Sequence, residues 1–66
     1  MDHNALRYFV TTVQFGSITK AAAHLRVAQP AVSRQIRKLE TDLGVQLLNR
    51  TAQGVSLTGP GEHLLT

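Results

Sequence analysis

Five basic residues, Lys20, Arg26, Arg34, Arg37 and Lys38, fall within one stretch of the chain that contains no acid, and only two further Lys or Arg lie outside it, Arg7 and Arg50. Gln29, Pro30 and Ser33 stand among them. Arginine offers a rigid fork of donors, lysine a point charge, glutamine both donor and acceptor, and serine a hydroxyl that acts as either. Such a set suits hydrogen bonding to base edges and phosphate oxygens. Glutamine pairs bidentately with adenine, arginine with guanine, and serine with either kind of group, each good bidentate pair contributing about 1 to 3 kcal/mol of discrimination. Pro30 adds apolar surface for a thymine methyl. For every one of these positions the plain alternative is an ordinary solvated helix residue.

Charge is partitioned along the chain. Residues 1–19 balance Asp2 against Arg7, and residues 39–66 set Arg50 against Glu40, Asp42 and Glu62. The net +3 therefore arises from a strongly basic middle and a slightly acidic C-terminal part. So small a total implies no polyanion by itself, but a field concentrated on one segment steers a polyanion to one face.

Other chemistries find little support. His3, His24 and His63 lie in three separate stretches, with no cysteine in the chain and no paired carboxylate at ligand spacing, so no metal site is expected. Ser33 or Ser56 with a histidine and Asp42 supplies residue types without a nucleophile motif. Gly59-Pro60-Gly61 lacks the lysine and hydroxyl that follow a phosphate loop. No catalytic activity and no cofactor are expected of this segment.

The elements that must position the basic residues follow from periodicity. Leu6, Phe9, Val10 and Val13 mark one side of a first helix from Asn4 to Phe15, ended by Gly16. Ser17 caps a second helix from about Ile18, with Ile18, Ala21, Ala22 and Leu25 as its buried stripe; the alanines permit a close helix crossing. Arg26-Val27-Ala28 is a turn with Val27 as a plug, and Pro30 suits the first turn of a third helix beginning near Gln29. There Val32, Ile36, Leu39 and Leu43 share one face and point into the core. The opposite face is then fixed: Pro30, Arg34, Arg37 and Thr41 at its centre, Ser33 on one flank and Lys38 on the other. Glu40 and Asp42 polarise the helix, so only its first half should approach an anion.

After Gly44, the runs Val45–Arg50 and Val55–Thr58 read as two strands around the turn Thr51-Ala52-Gln53-Gly54, a wing. Thr58 caps a last helix with Gly59 and Pro60 in its first turn and Leu64-Leu65 opening an apolar stripe. Tyr8 and Phe15 lie off the first helix's stripe, which leaves them either exposed or packed under the last helix or a second subunit.

A chain of 66 residues makes one small domain, and at this size only about 60% of the unfolded chain's surface is buried. Its 42% hydrophobic content supports a three-helix core but no large ligand pocket beside it. Without cysteines, packing alone must hold it. No apolar run approaches the roughly 18 residues of a bilayer span, and Met1-Asp2-His3-Asn4 does not open an export signal, so a soluble, unexported protein is expected.

These residues carry a family likeness. Leu6-Arg7-Tyr8-Phe9, Gly16 to Ala22, Val27 to Ile36, Leu39-Glu40, Leu43-Gly44-Val45, Leu47-Leu48-Asn49-Arg50 and Leu57-Thr58 before Gly61 resemble the DNA-binding domain of LysR-type transcriptional regulators over essentially the whole chain. The resemblance implies a mainly α, winged helix-turn-helix fold over residues 1–58, with the helix-turn-helix at about 18–37, the recognition helix at about 29–42 in the major groove and the wing at about 45–58. Residues 59–66 would begin a linker helix, beyond which an effector-binding domain is expected. It further implies a cytoplasmic bacterial regulator, nucleoid-associated when bound, that takes a small-molecule effector and dimerises through the linker helix on an interrupted palindrome. Gln29, Pro30, Ser33 and Arg34 are then base or phosphate contacts; Arg37, Lys38 and Lys20 touch phosphate; Arg50 and Gln53 reach backbone or minor groove from the wing. Departures are Ala28 in place of a frequent serine, which removes a cap of about 1 kcal/mol, Ile18 and Leu48 in place of phenylalanine, and Pro60 in place of alanine. The competing reading is a winged-helix interaction module docking an acidic partner. A membrane-surface helix does not fit, because the basic helix's apolar face is needed for the core.

Overall fold

The computed structural model describes residues 3–66; Met1 and Asp2, with the Asp2 charge counted above, lie outside the described residues. Its elements run α1 (His3–Phe15), α2 (Ile18–Leu25), α3 (Gln29–Leu43), β1 (Leu48–Thr51), β2 (Gly54–Leu57) and α4 (Gly59–Leu65). The three long helices enclose a core of Ala5, Phe9, Ala22, Val32, Ile36, Leu39, Leu47 and Leu48, and the antiparallel β1–β2 hairpin projects from it as a wing.

In α1 the deepest line is Ala5, Phe9 and Thr12, while the expected Leu6, Val10 and Val13 pack half-buried beside it. Thr12 tolerates full burial because its hydroxyl donates to the Tyr8 carbonyl oxygen at 2.8 Å, one turn back. Tyr8 packs half-buried against this same core. Phe15 stays 40% exposed and lies against the His24 ring, with centroids 4.9 Å apart.

Helix α2 begins as its sequence implies: the Ser17 hydroxyl accepts the Lys20 N–H at 3.2 Å. It ends on Arg26, whose φ of 60° is the left-handed conformation usually left to glycine. Ala21 and Ala22 are buried, and Val27 is half-buried against the core, as a plug between α2 and α3 should be. Helix α3 starts without a side-chain cap at Ala28, with Pro30 in its first turn.

Two expectations are corrected. Periodicity puts Leu43 in the core with Val32, Ile36 and Leu39, yet it is 37% exposed. Helix α3 overruns its packing partners, so Leu43 instead lines an open apolar concavity with Val45, Pro60, His63 and Leu64. The wing is also shorter than the two runs suggested, with Leu48↔Leu57 and Thr51↔Gly54 as its outermost pairs. Residues 45–47 spend their backbone groups elsewhere. The Val45 N–H closes the end of α3 on the Glu40 carbonyl, the Leu47 carbonyl accepts the Thr58 N–H at 3.0 Å, and the Gln46 carbonyl accepts the Thr58 hydroxyl at 2.6 Å. Thr58 for its part accepts the Gly61 N–H at 3.0 Å and so caps α4. Gly61 is buried there against the Leu47 carbonyl, where an added Cβ would lie 2.2 Å from that oxygen.

Candidate nucleic-acid interface

Burial of Val32, Ile36 and Leu39 at 0% exposure fixes the rotation of α3 about its axis. The consequence is the outward line Pro30, Arg34, Arg37 and Thr41, all exposed, with Ser33 half-buried on one flank and Lys38 exposed on the other. A helix of this length extends about 22 Å at 1.5 Å per residue, and a B-form major groove about 12 Å wide admits one. The amino end of α3 carries no side-chain cap, and Gln29, Pro30 and Arg34 stand exposed in its first two turns.

The start of α2 lies beside that end. Gln29 Nε2 donates to the Thr19 hydroxyl across the turn. Thr19, with Ser17 and Ile18, forms one wall of a shallow groove of about 290 Å³ whose other wall is the wing from Arg50 to Val55. Gln29, Thr19, Arg50 and Gln53 thus belong to one continuous stretch of surface, and Lys20 stands exposed immediately next to Thr19. Arg37 and Lys38 sit two turns farther along α3, away from this groove.

The wing is braced by polar contacts. The Glu40 carboxylate accepts the Leu47 N–H at 2.8 Å and the Leu48 N–H at 3.3 Å, so it turns inward to hold the approach to β1. Of the two acids expected to polarise the surface of α3, only Asp42 remains exposed. On the far side of the hairpin the Val55 N–H donates to the Gly16 carbonyl at 3.1 Å. Gly54 permits this approach: its φ is 136° and a Cβ there would lie 2.2 Å from the Gly16 oxygen.

The roles of Thr19 and Glu40 escape a reading of sequence. Both act across ten or fewer positions, but the partner is reached only once α3 has been packed against α2 or the chain has reversed after Gly44. A glutamate near the end of a basic helix reads as surface charge, and nothing local marks it as an acceptor for amides seven and eight residues on. Among the described residues no three His, Cys, Asp or Glu side chains are grouped so as to hold a metal ion, and no helix is long and apolar enough to cross a membrane.

Comparison with known proteins agrees with this geometry. Residues 3–62 match the bacterial regulatory helix-turn-helix proteins of the lysR family. The nitrogen assimilation regulatory protein nac of Escherichia coli (strain K12) is 48% identical over 66 residues, covering 100% of this chain and 22% of the relative. The crystal structure of a CbnR DNA-binding domain–DNA complex superimposes with a TM-score of 0.95 at 42% identity, over 98% of this chain and 75% of that one. The BenM DNA-binding domain bound to catB site 1 DNA gives 0.91 at 48% identity, over 97% and 72%. The chain spans about a fifth of the length of the curated relatives it matches. By sequence over nearly all its length and by fold, this chain belongs to the LysR family of bacterial regulatory helix-turn-helix proteins.

Proposed function

We propose that this chain is the sequence-reading DNA-binding domain of a transcriptional regulator, with α3 in the major groove and the wing beside it. The observation that carries the reading is the outward line of α3: its opposite face is locked in the core, so Pro30, Arg34 and Arg37 have no choice but to face outward. Similarity to domains solved on DNA supports the same orientation.

In this reading Gln29, Ser33 and Arg34 contact base edges and neighbouring phosphates, and Pro30 rests on a thymine methyl. Arg37, Lys38 and Lys20 hold phosphates and set position, while Arg50 and Gln53 reach backbone or minor groove from the wing. The full-length protein acts in the bacterial cytoplasm, pairs through a helix continuing α4, and binds a small-molecule effector in a further domain; the much greater length of the relatives supports this. Two copies then address an interrupted palindrome.

Selection of bound sequences from a random DNA pool at near-physiological salt, followed by a salt titration, tests the proposal. A two-fold symmetric site whose affinity falls linearly in log–log coordinates with salt is expected, from counterion release. No enrichment, with tight binding to an acidic protein instead, overturns it. Within a positive result, Arg34→Ala should erase sequence preference more than it weakens binding to random DNA, by about 1 to 3 kcal/mol at one base pair. Lys38→Ala should lower affinity for all sequences about equally. Equal losses on selected and random DNA for Arg34→Ala would remove the base-reading role.

A further inference from the structure

We propose that Thr19 is a positioning residue for base readout, acting through Gln29. The hydroxyl of Thr19, in the first turn of α2, accepts a hydrogen bond from Gln29 Nε2 in the first turn of α3. This is a side-chain bond between exposed residues across the helix-turn-helix, where the buried packing of Ala22, Val32 and Ile36 already sets the crossing of the two helices. It adds nothing to the buried core. What it fixes is the direction of the Gln29 carboxamide.

The hydrogen-bond inventory of that carboxamide makes the arrangement productive. A glutamine side chain has two N–H donors and one carbonyl acceptor. Bidentate reading of adenine uses the carbonyl and one N–H. One N–H is therefore spare, and it is an N–H that Thr19 takes, so tethering and reading can occur together. An untethered glutamine must give up the freedom of three side-chain torsions on binding; here that ordering is done in the unbound protein, which favours the complex. Thr19 also has the right neighbourhood, since it borders the groove between α2 and the wing. That position offers a competing role, direct contact with a DNA phosphate, from which the tether must be separated.

The inference rests on Gln29 reading a base, and the experiment separates failure of one from failure of the other. In the intact protein, Gln29→Ala first identifies the base pair whose preference is lost. Affinity is then measured on the selected site, on the site altered at that pair, and on random DNA, for Thr19→Val, Thr19→Ser, Gln29→Ala and the Thr19→Val/Gln29→Ala double variant. Valine keeps the shape of threonine without an acceptor. Thr19→Val should reduce discrimination at that pair about fivefold, a fraction of a bidentate contact, with random-DNA affinity changed less than twofold. Thr19→Ser, which keeps the acceptor, should retain discrimination, and Thr19→Val should have no effect once Gln29 is alanine. A Thr19→Val loss equal on all sequences, or one that persists in the double variant, assigns Thr19 to the phosphate backbone and overturns the proposal. Unchanged discrimination in Thr19→Val overturns it also. If Gln29→Ala itself alters no base preference, the base-reading role of Gln29 fails and the tether falls with it.

Discussion

Helices α2 and α3 are held by side chains, whereas the wing that flanks the same groove is held mainly by backbone groups. Ala21, Ala22, Val32, Ile36 and Leu39 lock the helix pair into the core. The wing contributes Leu48 to that core, and Val55 and Leu57 only in part; otherwise it hangs on the Glu40 carboxylate, the Gly16 carbonyl and the clearance left by Gly54. Two sides of one proposed binding surface are thus built to different standards of rigidity. Apolar packing makes the recognition helix a fixed rod, and a few directional bonds make the wing an appendage that a single substitution can detach.

The difference is testable by breaking each side separately. The largest effect is expected from Phe9→Ala, which empties the centre of the helical core and should cost about 3 to 5 kcal/mol. In a domain this small that approaches the whole of its stability. Urea unfolding followed by circular dichroism should show a lower midpoint for the helices, with the wing lost no later than they are; a wing that outlasts the helices would contradict its dependence on them. Gly54→Ala comes next, at about 2 to 3 kcal/mol, from a Cβ forced against the Gly16 oxygen and from an unfavourable φ. Here helix content should survive while the cross-strand proximity of Leu48 and Leu57 disappears from NMR spectra. The smallest of the three is Glu40→Ala, about 2 kcal/mol, because two amides lose their acceptor. Faster hydrogen exchange at Leu47 and Leu48 with an unchanged α1 is the expected record, and continued protection of both amides would mean that the wing does not depend on the carboxylate.

Much of the helical part was legible in the sequence because it rests on periodicity and caps. Ser17 before Ile18, the Ala21-Ala22 pair, Pro30 and the Val32–Ile36–Leu39 line specify two helices, their crossing and which face of α3 is left outside. The same logic misplaced Leu43, since periodicity says which side a residue faces but not whether the neighbouring elements extend that far. In α1 the apolar spacing identified the buried side only partly: Ala5 and Thr12 are its deepest members with Phe9, small or hydroxylated residues that no hydrophobic pattern emphasises. For the wing, β-propensity located the hairpin but not its bounds, because the backbone groups of residues 45–47 are claimed by Glu40 and Thr58 at a distance. The outward residues of α3 were recoverable from sequence, whereas the link from Gln29 to Thr19 depends on how the two helices cross.

One bond of the wing has a bearing on how the domain assembles in time. Gly16 and Val55 lie about 40 positions apart in the chain, and bringing such distant points together in an unfolded polymer costs about 3 kcal/mol of closure entropy. A single backbone hydrogen bond returns only about 1 kcal/mol, so this contact is unable to lead. Once the three helices have docked, only the dozen residues from Leu43 to Val55 remain to be closed, at about 2 kcal/mol by the same law, and the hairpin's other bonds share that cost. The expected order of events is therefore a helical nucleus followed by the hairpin, and the hairpin is the unit expected to open first in the native protein, leaving the helix-turn-helix intact while the flank beside it comes and goes.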